Sequence, residues 1–273
     1  MTDFLDRICA EVRRALEAGH YAPAPESVRE VGRGEGESRS LVRLLREGFE
    51  VVPVLERSSP SAGALWTGEF DPLVAELAAA GARALAIVCE PSAFGGRLAD
   101  LAAAKRSGLC VLYKDFVLSP RQLEAARSWG ADAALLILAL FERGHTELPL
   151  PEMIAHAHTL GLEVVLEVFS REEFRRARAS EADVLGINNR DLRTLRVDLS
   201  TSLDVLAAER ADRPVLSESG VTGPEDVRAV ERAGAHGVLV GTALLRAPSP
   251  GEAFRRLVGP SVSPPSCVQG GSP

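Results

Sequence analysis

Short apolar segments alternate with amphipathic segments along most of the chain. Eight short runs are apolar at successive positions, which is typical of parallel strands that helices cover on both faces. These predicted strands are 50–55, 84–89, 109–113, 133–138, 163–168, 183–187, 214–217 and 237–240. The segments between them show helical periodicity, and several end in a glycine turn such as AGAR, WGAD or AGAH.

The amphipathic segments complete eight strand–helix units. The predicted helices are 72–81, 96–106, 119–130, 147–160, 171–180, 198–210 and 223–233, with 250–257 after the last strand. Eight units in about 210 residues fit a (β/α)8 (TIM) barrel, an α/β fold that typically needs ~250 residues. A doubly wound sheet could also hold eight strands. No GxGxxG follows the first strand, which disfavours the dinucleotide-binding version of that sheet.

The two ends of the chain differ from this repeating pattern. Residues 1–48 predict a helical extension, with an amphipathic helix at 3–18, a loop rich in Pro, Gly and charge, and a short helix at 39–47. The barrel is expected to occupy 49–258 as a single domain. Residues 259–273 contain too few apolar side chains to pack, so we expect a disordered tail.

Charge and composition limit the possible partners. Lys and Arg number 31 against 38 Asp and Glu, so the net charge of −7 argues against a nucleic-acid-binding protein. No apolar run approaches the ~20 residues of a membrane helix, and the start MTDFLDRICAEVRR is unlike a signal peptide. We therefore expect a soluble, cytoplasmic protein with neither a nucleic-acid nor a membrane partner.

Neither cysteine nor histidine spacing predicts a metal site. The four cysteines are far apart and lack CxxC spacing: Cys9, Cys89, Cys110 and Cys267. The histidines fall in predicted helices or loops away from the strand ends. His156 and His158 would place their rings on different faces of a helix, which disfavours metal binding.

Polar residues gather where the predicted strands end, which is where the active site of a TIM barrel lies. Lys114 and Asp115 follow the third strand, and Glu167 interrupts the apolar fifth strand. Lys114 is one of only two lysines, and Arg cannot replace Lys where a proton must be released near neutral pH. Alternatives remain open: a surface ion pair for Lys114 and Asp115, and a structural salt bridge for Glu167, since a buried carboxylate without a partner is costly.

Three further groups of polar and small residues follow the last three strands. Asn188, after the sixth strand, could hydrogen-bond a ligand or simply serve as a turn residue. The pairs Ser219–Gly220 and Gly241–Thr242 follow the seventh and eighth strands and precede predicted helices. This position is the recurrent phosphate site of TIM barrels, although both pairs could also be ordinary turns.

Several of these motifs together resemble the indole-3-glycerol-phosphate synthase family of tryptophan biosynthesis. The motifs are SSPS after the first strand, KDF after the third, and then GINNRDL, LSESGV and VGTALLRAP. The similarity spans about residues 3–258 and includes the family's N-terminal helical extension over the barrel mouth. It implies a small sugar-phosphate substrate, 1-(2-carboxyphenylamino)-1-deoxyribulose 5-phosphate, which undergoes ring closure, decarboxylation and dehydration without a cofactor.

The resemblance also implies roles for individual residues. Lys114 matches the general acid of ring closure, with a pKa that desolvation would lower toward working pH. Glu167 matches a general base or electrostatic residue, and Asn188 matches a residue that orients the substrate. The remaining matches are neighbours of Asn188 (Arg190, Ser219), apolar walls around the aromatic ring (Phe94, Phe116, Leu135) and the phosphate cradle (Ser59, Gly220, Gly241, Thr242).

The first strand departs from the family pattern. The family typically has Glu-x-Lys there, two inward-facing catalytic positions that align with Val54 and Glu56. A two-residue slip would place Glu56 on the family's Glu, but Ser58 would then occupy the Lys position. In either alignment the ammonium that meets the substrate carboxylate is missing. The site would then hold two acids, Glu56 and Glu167, and one ammonium. We expect the Glu56 carboxylate to repel the substrate carboxylate by on the order of several kcal/mol. Repulsion between the two glutamates should also raise the pKa of one of them, unless Lys114 bridges them.

Three interpretations remain open at this point. The first is an indole-3-glycerol-phosphate synthase, a carboxy-lyase that is slow or specialised. The second is a diverged paralogue that acts on a related anilino sugar phosphate. The third is a non-catalytic barrel that binds a phosphate ligand or a partner subunit. We expect a monomer or a weak homodimer.

Overall fold

The computed structural model describes residues 3–29, 39–191 and 194–259. Eight parallel strands close into a barrel in the order β1-β10-β9-β8-β7-β6-β5-β4, which confirms the predicted TIM barrel. The barrel strands are β1 (Glu50–Leu55), β4 (Ala84–Val88), β5 (Cys110–Lys114), β6 (Ala133–Ile137), β7 (Glu163–Val168), β8 (Val184–Asn188), β9 (Val215–Glu218) and β10 (Gly237–Val240). Each lies within one residue of its predicted position.

Helices surround the barrel and precede it. They are α1 (Phe4–Glu17), α2 (Glu26–Arg29), α3 (Leu41–Glu47), α4 (Phe70–Ala79), α5 (Ala99–Arg106), α6 (Pro120–Ser128), α7 (Leu138–Glu142), α8 (Leu150–Thr159), α9 (Arg171–Ala177), α10 (Ser200–Ala208), α11 (Pro224–Ala233), α12 (Thr242–Leu245) and α13 (Pro250–Val258). The periodicity did not predict the short helices α2, α7 and α12, nor the small hairpin β2 (Ser58–Ser59) and β3 (Gly63–Ala64). Elements of two to five residues are too short for a periodic signal.

Local sequence explains where several helices begin and end. Ser119 caps α6 and forms a capping box with Gln122, while Ser170 and Ser249 cap α9 and α13. Helix α11 ends at Gly234, whose φ of 103° lies in the left-handed region that favours glycine. These signals place the helix boundaries without help from tertiary contacts.

The N-terminal helix α1 packs at the mouth of the barrel. Phe4, Leu5 and Ile8 on one face of α1 are buried. Polar contacts fasten the same helix to the loop that follows α7: Arg143 bonds Asp3 at 2.6 Å, and His145 Nε2 lies 3.0 Å from Asp6. The extension therefore contributes to the end of the barrel where the functional cavity lies.

The sequence analysis also concerned the C-terminal tail and membrane-spanning segments. The predicted disordered tail lies outside the described residues, except for Gly259. No helix in the described part of the chain is long and apolar enough to cross a membrane.

Candidate active site

A cavity opens at the carboxyl ends of the barrel strands. All thirteen candidate site residues from the sequence line it, and the structure thus brings together residues from all eight barrel strands or the loops that follow them. They are Glu56, Ser59, Phe94, Lys114, Phe116, Leu135, Glu167, Asn188, Arg190, Ser219, Gly220, Gly241 and Thr242. Their individual roles stay predictions.

Lys114 lies between two buried carboxylates. Its Nζ donates to Glu167 Oε2 at 3.0 Å and to Glu218 Oε2 at 2.7 Å. Burial by itself would lower the pKa of Lys114, but the charges and hydrogen bonds of Glu167 and Glu218 outweigh burial and raise this pKa above its ordinary value. The expectation of a lowered lysine pKa is therefore wrong for this structure. Lys114 is held as a cation, and its carboxylate partners Glu167 and Glu218 are buried, so these are not surface ion pairs.

Glu218 is a site residue to which the sequence analysis assigned no role. It ends β9, is 1% exposed, and its Oε1 accepts no hydrogen bond from the described residues. Burial raises the pKa of Glu218 to about 8; the charge of Lys114 opposes this rise and the charge of Glu167 adds to it. One feature of the sequence could have identified Glu218 as a site residue, namely that it is an acid at the carboxyl end of a predicted barrel strand.

Glu56 faces the cavity from the end of β1. It is 9% exposed and accepts no hydrogen bond from the described residues, and Val54 lines the same cavity. Burial raises the pKa of Glu56 to about 7, while the charges of Arg190 and Lys114 oppose the rise. The main cause is therefore desolvation rather than the expected repulsion between glutamates.

The charges of the cavity differ from the expected two acids and one ammonium. Glu218 and Asp115 are further carboxylates that line the cavity, Glu218 in an ion pair with Lys114. The Arg190 guanidinium is a second cation on the cavity wall. Arg190 Nη1 donates to Ser61 Oγ at 2.7 Å, and its backbone N–H donates to Asn188 Oδ1 at 2.9 Å. The side-chain oxygen of Asn188 therefore orients the loop that carries Arg190.

Aromatic side chains form one wall of the cavity. The Phe94 and Phe116 rings lie 6.1 Å apart, and Phe4 of α1 meets Phe116 edge-on at 6.2 Å. Leu135 of β6 continues the apolar surface. The contribution of Phe4 was not predicted, because nothing in the sequence indicates where a separate helix will dock.

Buried carboxylates position both predicted wall phenylalanines. Glu90, 0% exposed, accepts from the backbone N–H of Phe94 at 3.1 Å. Asp115 accepts from the backbone N–H of Phe116 at 2.7 Å and from the Tyr113 hydroxyl at 2.9 Å. Burial raises the pKa of Asp115 to about 7. Asp115 therefore has a structural role. The alternative of an ion pair between Lys114 and Asp115 is not found, because Lys114 pairs with Glu167 and Glu218.

Backbone geometry distinguishes the two small-residue pairs. Ser219 and Gly220 have φ values of 65° and 90°, while Gly241 and Thr242 begin the four-residue helix α12. Helix α11 begins at Pro224, so Gly220 does not directly precede a helix. The helix predicted at 223–233 is therefore present, but three residues separate Gly220 from its start, so any anion bound at the first pair would rely on loop amides.

A comparison with protein families decides what kind of barrel this is. Residues 5–257 match the family model for indole-3-glycerol phosphate synthase. The chain belongs to this family. Proteins named indole-3-glycerol phosphate synthase include one from Kineococcus radiotolerans, 38% identical over 95% of this chain and 96% of its own length. Another, from Methanopyrus kandleri, is 40% identical over 81% of this chain and 87% of its own length.

Solved structures share the fold of this family member. An N-acetylmannosamine-6-phosphate 2-epimerase from Clostridium perfringens superposes with a TM-score of 0.58 at 13% identity. The match covers 82% of this chain and 98% of that chain. At this identity the similarity concerns the barrel alone.

Proposed function

We propose that this chain catalyses the conversion of 1-(2-carboxyphenylamino)-1-deoxyribulose 5-phosphate to indole-3-glycerol phosphate. The observation that carries the proposal is the position of Lys114, whose ammonium lies between Glu167 and Glu218 on the floor of the cavity. A lysine held as a cation is a proton donor placed in a largely enclosed, apolar-walled site. Membership of the synthase family supports the same reaction.

The proposed chemistry begins with ring closure. The ring carbon that bears the carboxylate forms a bond to the ribulose carbonyl carbon, and the carbonyl oxygen takes a proton from Lys114. The bond to the carboxylate then breaks, CO2 leaves, and its bonding electrons restore the aromatic ring. In the later dehydration Glu167 removes a proton from the ring carbon beside the nitrogen. The hydroxyl takes a proton from Lys114, once Lys114 has been reprotonated, and departs as water. Glu218, whose pKa is raised by burial, lies within hydrogen-bond distance of Lys114 and can return a proton to it between the two steps.

Binding of the substrate uses the remaining parts of the cavity. We propose that the aromatic ring lies against Phe94, Phe116 and Leu135, where apolar surface is buried. Asn188 and Arg190 orient the polar middle of the substrate. The phosphate lies at Ser59 and at the backbone amides of the two pairs Ser219–Gly220 and Gly241–Thr242.

The test is an assay of the purified chain for indole-3-glycerol phosphate by its fluorescence, together with complementation of a tryptophan auxotroph. Turnover and growth are the expected results. Binding of the product without turnover of the substrate would favour the non-catalytic barrel instead.

Glu56 favours a second candidate function. The resemblance implies an ammonium at this position that meets the substrate carboxylate, and a buried carboxylate stands there instead. A paralogue that uses an anilino sugar phosphate without the ring carboxylate would avoid this repulsion. The ratio of kcat/KM for the substrate and for its analogue without the carboxylate distinguishes the two functions.

The proposed phosphate position leads to a prediction for Thr242. Thr242→Asp should weaken binding of indole-3-glycerol phosphate about 100-fold or more, because a carboxylate would face the phosphate at short range. Thr242→Asn has nearly the same size without the charge and should bind within a few-fold of the unchanged protein. Calorimetric titration measures both affinities.

Thr242 is a better position than Gly241 for this experiment. A Cβ on Gly241 would lie 3.2 Å from Glu56 Oε1 and 3.3 Å from Val54 Cβ, so any side chain there disturbs its neighbours. Equal affinities for Thr242→Asp and Thr242→Asn would contradict the phosphate position.

A further inference from the structure

The Glu56 carboxylate lies beside the backbone proposed to hold the phosphate. The side chain is more than nine-tenths buried, faces the cavity and accepts no hydrogen bond from the described residues. Its Oε1 would lie 3.2 Å from a Cβ placed on Gly241. A buried carboxylate that accepts no hydrogen bond is costly. We therefore expect the Glu56 carboxyl group to contact a bound ligand.

Among the described residues, neither cation that lines the cavity forms a hydrogen bond with Glu56. Lys114 donates to Glu167 and Glu218, and the Arg190 guanidinium donates to Ser61 Oγ and to the Leu195 carbonyl. The titratable or charged groups that line the cavity with Glu56 are Lys114 and Asp115 from β5 and its loop, Glu167 from β7, Arg190 from the loop after β8, and Glu218 from β9. Carboxylates outnumber cations among them even before an anion binds.

A phosphate dianion at Gly241 and an ionised Glu56 would repel each other at short range in a site with little water. The repulsion disappears if the carboxyl group carries a proton, and the protonated group then becomes a hydrogen-bond donor. A bond from a neutral acid to an anionic oxygen is charge-assisted and therefore strong. Glu56 therefore repels the phosphate when it is ionised and donates a hydrogen bond to it when it is protonated.

We propose that Glu56 binds the phosphate of the ligand as a neutral acid, so that a dianion enters the site together with one proton. The proposal rests on the phosphate position given under the proposed function. It makes Glu56 a binding residue whose protonation sets the affinity for anions.

The sign of the pH dependence follows from linkage. The pKa of Glu56 is raised to about 7 by burial, and a bound dianion raises it further through repulsion. Below about pH 7 the acid is already protonated, so the affinity is flat. Above that pH a proton must be taken up on binding, and the affinity falls about tenfold for each pH unit.

The experiment uses sulfate as the probe, because sulfate remains a dianion throughout the relevant range and any pH dependence belongs to the protein. Calorimetry gives the dissociation constant for sulfate between about pH 5.5 and pH 9 for the unchanged protein, Glu56→Gln and Glu218→Gln. We expect the tenfold slope above pH 7 in the unchanged protein and in Glu218→Gln, whose site still contains Glu56. Glu56→Gln should bind sulfate with no such slope.

The control Glu218→Gln is needed because Glu218 also titrates near neutral pH. A slope that persists in Glu56→Gln, or disappears only in Glu218→Gln, would overturn the proposal. So would sulfate binding that Thr242→Asp leaves unchanged, because the anion would then lie elsewhere.

A second measurement requires no substitution at Glu56. Carbon-13 NMR of labelled glutamate carboxyl groups, assigned to Glu56 by comparison with Glu56→Gln, should show a higher pKa in saturating sulfate than without it. An unchanged pKa overturns the proposal. If the slope is found but no indole-3-glycerol phosphate forms, the proposed function fails while the role of Glu56 stands.

Discussion

Lys114→Met is expected to lower kcat/KM for 1-(2-carboxyphenylamino)-1-deoxyribulose 5-phosphate about 1,000-fold, within the range that loss of a general acid causes. The substitution removes the proton donor and leaves Glu167 and Glu218 without their shared cation. Lys114→Arg should also lose most of the activity, because the larger planar guanidinium does not reproduce the position of the compact ammonium between Glu167 and Glu218. The fluorescence of indole-3-glycerol phosphate measures each rate.

The chain offers a matched control in its only other lysine. Lys105, on α5, pairs with the buried Asp132 and does not line the cavity. Lys105→Met therefore removes a lysine from a buried ion pair of similar kind and should keep kcat/KM within a few-fold. If Lys114→Met retained a tenth or more of the activity, Lys114 would not be the general acid.

Glu56→Lys is expected to raise kcat/KM for the carboxylated substrate about 10- to 100-fold. It replaces a negative charge by a positive one beside the substrate carboxylate and the phosphate cradle, and a change of about 1.4 to 2.8 kcal/mol in transition-state binding gives this factor. Adding Val54→Glu should increase the gain, because Val54 lines the same cavity and adjacent substitutions act together. Rates at one pH for the single and double variants measure the effect.

Glu56→Gln separates removal of the acid from addition of a cation. Its rate should lie between those of the unchanged protein and Glu56→Lys, and its preference for the substrate over the analogue without the carboxylate should also be intermediate. A rate that falls strongly in Glu56→Lys, from full activity in the unchanged protein, would show that the Glu56 acid is itself catalytic.

The sequence by itself determined the barrel and most of the polar residues that line its cavity. Strand positions are encoded by local runs of apolar residues, and helix boundaries by local caps such as Ser119 and Ser170. Because all barrel strands are parallel, their carboxyl ends meet at one mouth, so residues such as Lys114 and Asn188 were expected to share a cavity before their distances were known. Short helices such as α7 and α12 were not predicted, because they contain too few residues to show a helical periodicity of apolar positions.

Only the tertiary structure decided how the site residues are paired and charged. Lys114 meets Glu167, 53 positions away, and Glu218, 104 positions away, and these contacts raise a lysine pKa that was expected to fall. The docking of Phe4 on Phe116 and the placement of Glu56 against Gly241 also depend on side-chain packing across distant elements. Electrostatic effects depend on distance and burial, and a linear pattern of residue types specifies neither for groups far apart in the chain.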